Sequence, residues 1–168
     1  TFTRQNLDFT TDVEDMLNHG FPAVSMEPVV GDDTADYSIK EADLPRVKDE
    51  YDKLAKFFIK REEEGNPFFF FHFNMDLWRG PCLPKRLRGC GAGHEYLAVV
   101  PNGDIYPCHQ FVGRKGYVIG NVFEGLKNMK MMRDFRVNHV FSKPECVDCW
   151  AKFFCSGGCH ANNEAYAG

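Results

Sequence analysis

No apolar run among the 168 residues approaches the ~18 needed for a membrane-spanning helix. The most apolar stretch, Phe68-Phe-Phe-Phe71, is the length of a buried strand. An excess of positive charge is missing too. The net charge of −4 gives no general attraction for nucleic acid or an anionic surface, and Lys85, Arg86 and Arg88 are too small a cluster to alter that. Neither a nucleic acid nor a membrane is therefore expected as a partner. No leader pattern opens the chain, and no internal repeat or low-complexity segment interrupts it. Position 1 is not Met, and Thr1-Phe-Thr-Arg4 reads as the end of a strand, so the chain is expected to be part of a longer polypeptide.

An even set of cysteines is also lacking. There are seven, in a chain that is 43% hydrophobic with 16 Phe and can bury a substantial core without covalent staples. A secreted disulfide scaffold would use paired thiols and little other core. The composition instead predicts a reducing, cytoplasmic setting in which thiols ligate metal.

Residues 1–75 read as alternating helix and strand. Thr11 and Glu14 have capping-box spacing, and the helix they open should end at Gly20. Ala23 to Val30 follows as a strand, and 31–42 as a polar loop. A second helix is predicted from Asp43, with Pro45 in its first turn, through Leu44, Val47, Tyr51, Leu54 and Phe58 to Gly65. Phe68 to Phe73 should then be a strand buried on both faces, as in a parallel sheet. From residue 76 the elements shorten and Gly and Cys multiply. Glu95–Val100 and Ile105–Cys108 form a predicted hairpin around Asn102-Gly103. An amphipathic helix is expected over Phe123 to Phe135, with Leu126, Met129, Met132 and Phe135 inward. The fold class is thus α/β over 1–75 plus a small irregular α+β unit over 76–168.

The thiols fall into Cys82, Cys90 and Cys108 upstream and Cys146, Cys149, Cys155 and Cys159 downstream, the last four within fourteen residues. Gly89, Gly91, Gly93, Gly157 and Gly158 flank them. Glycine lets loops converge without strain, and its amides can reach sulfur. Disulfides, zinc and iron–sulfur clusters all remain open on this pattern. Cys146-x2-Cys149 by itself is a zinc knuckle, but Cys155-x3-Cys159 is not the usual second one, and the upstream thiols would need another site.

The spacing Cys90-x12-Gly103-x4-Cys108, then Cys146-x2-Cys149-x5-Cys155-x3-Cys159, resembles the SPASM domain of radical S-adenosylmethionine enzymes. Gly80-Pro-Cys82, Gly89-Cys90-Gly91, Glu95-Tyr-Leu-Ala98, Gly103 through Gly113 and Gly120-Asn-Val122 are similar to maturases of small cysteine-rich SCIFF peptides. The resemblance implies that residues 1–75 are the C-terminal βα elements of a partial (β/α)6 barrel. It implies that residues 76–168 are a SPASM domain holding two auxiliary [4Fe–4S] clusters. On this resemblance Cys90, Cys108 and Cys159 ligate the first, with Cys82 a candidate fourth ligand unless that cluster keeps an open iron. Cys146, Cys149 and Cys155 ligate the second, whose last ligand would lie beyond Gly168. The family's Cys-x3-Cys-x2-Cys motif is missing, since Cys155-x3-Cys159 is followed by Asn162. S-adenosylmethionine and a third cluster are therefore expected in the intact enzyme, which would form thioether bonds in a cysteine-rich precursor peptide. Its electron donor would be a flavodoxin or ferredoxin. Glu27 and Arg4, at strand ends, are candidate contacts to S-adenosylmethionine or peptide, while an ordinary salt-bridged role is the plainer expectation for each. His109 and His160 adjoin ligand positions. Trp150, Phe153 and Phe154 are expected to wall off the second cluster, and Asp104 to cap backbone amides. Two other readings stand beside this one: a maturase of the anaerobic sulfatase type, and a zinc-stabilised binding module with no redox role.

Overall fold

The computed structural model describes the chain apart from residues 32, 33, 75, 77, 79, 81, 82, 167 and 168, and apart from the side chains of 84 and 85. The chain forms two compact units, Thr1–Asp76 and Leu77–Gly168.

In the first unit, α1 (Phe9–Asn18) and α2 (Leu44–Glu63) pack on one another beside two short parallel strands, β1 (Ala23–Val24) and β2 (Phe69–Phe70). Phe2 extends this pairing through a parallel bridge to Pro28. Most apolar positions reach the core: Phe9, Val13, Val24, Met26, Leu54, Phe68 and Phe70 are buried, with Val47, Tyr51 and Phe58 packed against them, while Leu44, expected on the same helix face, is exposed at the first turn. Removing such side chains from water contributes roughly 1.5–3 kcal/mol each.

Three further expectations change in this unit. Helix α1 starts at Phe9, so Thr11 lies inside its first turn and does not cap it. The Glu50 carboxylate on α2 accepts the Thr10 amide at 2.9 Å instead. The strand predicted over Ala23 to Val30 shrinks to β1, because the chain leaves the ladder after Val24 and returns only for the Phe2–Pro28 bridge. The phenylalanine run pairs in parallel as expected, yet it is not buried on both faces. Phe68 and Phe70 are inside, Phe69 and Phe71 are exposed, and residues 71–73 turn into a 3-10 helix.

The second unit is built on a four-stranded antiparallel meander: β3 (Ala98–Val99), β4 (Asp104–Tyr106), β5 (Gly120–Asn121) and β6 (Gly125–Leu126). The Asn102-Gly103 turn closes β3 onto β4, with Gly103 at φ +88° and its amide 2.8 Å from the Val100 carbonyl. Asp104 accepts from the side-chain amides of Asn102 and Asn121 at 2.8 and 3.0 Å, not from backbone amides as expected. Short helices make up the rest of the unit: α3 (Leu83–Arg86), α4 (Met129–Val137), α5 (Pro144–Val147), α6 (Lys152–Cys155) and α7 (His160–Ala165), with α3 packed on α6. Helix α4 begins later than predicted because Asn128 caps it, accepting the Met131 amide at 3.0 Å. Leu126 therefore belongs to β6 and Met129 is exposed, while Phe135 turns inward as expected. Phe111, Ile119, Val140 and Ala161 complete this core.

Candidate metal centre

Cys90 and Cys108 lie at the two ends of the segment that carries the β3–β4 hairpin, and Cys159 precedes α7. Two close backbone approaches bring these distant positions together. Gly89 packs on the Gly158 carbonyl, where a Cβ would stand only 2.3 Å from the oxygen. Gly93 donates its amide to the Pro107 carbonyl at 2.9 Å, tying the loop after Cys90 to the residue before Cys108. Gly157 and Gly158 both adopt left-handed φ, and the Gly157 carbonyl is held by Lys143 Nζ at 2.6 Å and Asn163 Nδ2 at 2.8 Å.

The electrostatics register the convergence. Burial pushes the Cys108 thiol up, the amides of Gln110 and Phe111 facing its sulfur partly offset this, and Cys159 and Cys90 push it up further. Tyr96 feels the same three sulfurs. Its hydroxyl donates to Cys90 Sγ at 3.7 Å, and burial, that bond and the charges of Cys90, Cys108 and Cys159 all raise its pKa. His160 is buried against Phe135, ring centroids 5.5 Å apart, and neither ring nitrogen completes a well-aligned hydrogen bond to a described residue. Burial and then the Lys143 charge push its pKa down, and the nearby Cys90 carbonyl only partly opposes them.

The downstream thiols sit on a run of tight turns. The Cys149 amide donates to the Cys146 carbonyl at 3.2 Å, the Lys152 amide to the Cys149 carbonyl at 3.3 Å, and the Gly158 amide to the Cys155 carbonyl at 3.2 Å. Six cysteines, 90, 108, 146, 149, 155 and 159, are free thiols, and Cys82 lies outside the described residues. Among the described residues no three His, Cys, Asp or Glu side chains gather as a single-ion site. Thiolates around one zinc ion must stand roughly 3.8 Å from each other, from the Zn–S length of about 2.3 Å.

Residues 90–150 match the SPASM family, an iron–sulfur cluster-binding domain. Comparison with curated proteins finds no match. The SPASM match contains Cys90, Cys108, Cys146 and Cys149, while Cys155 and Cys159 follow it. The family whose model this segment matches is described as an iron–sulfur cluster-binding domain, so thiolate ligation of such a cluster is what the match points to here. The donor set fits such a group. Thiolates are the donors such a cluster takes, and Cys108 is within electrostatic reach of both Cys90 and Cys159.

The remaining sequence candidates have ordinary partners or lie elsewhere. Arg4 pairs with Asp43 at 3.3 Å. Glu27 accepts from Ser25 Oγ at 2.7 Å and meets His72 Nε2 at 3.0 Å, and the other nitrogen of His72 meets the Tyr51 hydroxyl at 2.9 Å. Burial pushes the Glu27 carboxyl up, but the Ser25 and His72 bonds and the His72 charge outweigh it and leave the pKa lowered. His109 is exposed. Trp150 is 89% exposed and walls off nothing, whereas Phe153 packs on Phe141 with centroids 6.0 Å apart. Sequence reasoning missed Tyr96 as a neighbour of the thiols. Its signal was Gly91 and Gly93, which permit a turn tight enough to bring residue 96 back to residue 90. No described helix is long and apolar enough to cross a membrane.

Proposed function

We propose that this chain is the auxiliary-cluster portion of a radical S-adenosylmethionine enzyme that forms thioether crosslinks in a ribosomally made, cysteine-rich peptide. The carrying observation is that Cys108, inside a segment that matches an iron–sulfur cluster-binding family, is within electrostatic reach of Cys90 in the same segment and of Cys159 just beyond it. In this reading those three thiolates hold one [4Fe–4S] cluster, with Cys82 as fourth ligand or an iron left open. Cys146, Cys149 and Cys155 hold a second. The first unit is the end of a partial barrel, and Glu27 and Arg4 at its strand ends face S-adenosylmethionine or peptide.

Joining a cysteine sulfur to carbon removes one hydrogen atom from the carbon, and one proton and one electron from the sulfur side. When bound, the clusters supply a one-electron acceptor and, at an open iron, a place for the peptide thiolate. The chain's own contribution is geometric: backbone contacts at Gly89 and Gly93 tie together the loops that carry Cys90, Cys108 and Cys159. The hydrogen atom is removed by chemistry that needs S-adenosylmethionine and a third cluster, supplied by sequence outside these residues. A flavodoxin or ferredoxin supplies the electrons, in the cytoplasm.

Anaerobic purification tests the reading. The protein should be brown, absorb near ~400 nm and carry about eight iron and eight sulfide per chain. A colourless protein with stoichiometric zinc would overturn it in favour of a structural zinc module.

A further inference from the structure

Tyr96 is held against the thiol group by its own backbone. The Glu95 and Tyr96 amides both donate to the Gly91 carbonyl, at 2.8 and 3.2 Å, and the Tyr96 carbonyl accepts the Gly93 amide at 3.2 Å. Gly93 also donates to Pro107, so this turn is pinned to the residue before Cys108. Nothing larger than glycine fits at 91, where a Cβ would stand 2.4 Å from Glu95 Cβ. The outcome is a phenol whose hydroxyl lies 3.7 Å from Cys90 Sγ and within electrostatic reach of Cys108 and Cys159. Amides already face Cys108, on the buried side of the group. Tyr96 itself is 44% exposed.

We infer that Tyr96 is a positioning residue that donates its hydroxyl hydrogen bond to the Cys90 thiolate of the first iron–sulfur cluster and raises that cluster's reduction potential. The inference rests on the cluster reading above. Its physical basis is that a donor to a ligating thiolate stabilises the more negative, reduced state more than the oxidised one. No proton is transferred. The bond already present to a neutral thiol becomes charge-assisted when the sulfur is ligated.

The test uses the 168-residue chain purified without oxygen, in a Cys146→Ala/Cys149→Ala background that leaves the first cluster alone. Tyr96→Phe removes the donor and keeps the ring. The expected result is unchanged iron and sulfide content with a midpoint potential shifted to more negative values in an EPR-monitored redox titration. Retained iron with an unchanged potential would overturn the inference. Should Tyr96→Phe lose its iron, electron–nuclear double resonance on the reduced background protein decides. An exchangeable proton coupled to the cluster that vanishes when the tyrosines carry a methylated hydroxyl supports the bond, and its persistence removes it. Absence of iron from the unmutated chain itself would overturn the cluster reading and this inference together, an outcome distinct from an unshifted potential.

Discussion

Gly89 lies so close to the carbonyl oxygen of Gly158 that a Cβ would stand 2.3 Å from it. Residues 89 and 158 each precede a cysteine, so this one backbone contact carries Cys90 and Cys159 to the same place across 69 positions of sequence. Gly89 itself has an ordinary φ, and it is space, not backbone freedom, that demands glycine there. Backbone cannot yield as a flexible side chain does.

Gly89→Ala should therefore push the two loops apart. We expect a loss of about 1–3 kcal/mol of stability in the second unit, typical of overpacking. We also expect a selective loss of iron from the cluster of Cys90, Cys108 and Cys159. Chemical denaturation and iron analysis measure the two effects. Full iron occupancy in the variant would show that the contact does not assemble the site.

Ligand substitutions should sort the cysteines into two sets. Cys108→Ser and Cys159→Ser should each lose about half the iron, and combining them should lose no more, because both ligate one cluster. Combining Cys159→Ser with Cys149→Ser should remove nearly all of it. Additive losses within the first pair would contradict the shared site.

Helix α1 is capped by a residue 40 positions away. The Glu50 side chain is only 12% exposed and accepts the Thr10 amide. Burial pushes its carboxyl up, but the Thr10 and Lys53 interactions outweigh that and lower the pKa from the usual 4.5. A lowered carboxyl contributes stability above its unfolded value and loses it as pH falls through the folded one. Glu50→Ala should thus be less stable than the parent by about 0.5–2 kcal/mol at pH 7, the usual worth of a cap. The gap should close as pH falls from 4.5 through the lowered folded value. Thermal melts across pH 3–7 would measure the gap, and a pH-independent difference would count against the carboxylate as the cap.

Tyr51 should govern alkaline stability. Its hydroxyl contacts His72 Nδ1 at 2.9 Å, and burial first, then the Glu27 charge, pushes its pKa from 10 up to about 12. The folded state keeps this proton longer than the unfolded chain, so its contribution is full below pH 10 and is lost as pH rises through 12. Tyr51→Phe should flatten the fall in stability over that window, seen by denaturant midpoints at several pH values. An unchanged slope would show that another group titrates there.

Local pattern carried most of the elements. The 3.6-residue spacing of Val47, Tyr51, Leu54 and Phe58, the glycine stops at 20 and 65 and the Asn102-Gly103 turn each appear where the residues dictate, because helix faces, left-handed caps and tight turns depend on neighbours a few positions away. Cysteine spacing likewise pointed to thiol ligation and to a family that binds iron–sulfur clusters. Other features were decided only in three dimensions. Which residue caps α1, where the Phe68–Phe73 run leaves its sheet, that Trp150 faces solvent and that Tyr96 bonds to Cys90 all depend on contacts between segments far apart or folded back on themselves. Chain order fixes which chemical groups exist and the local shapes they favour; the close backbone approach at Gly89 and Gly158, a steric fact between distant residues, decides which sulfurs meet.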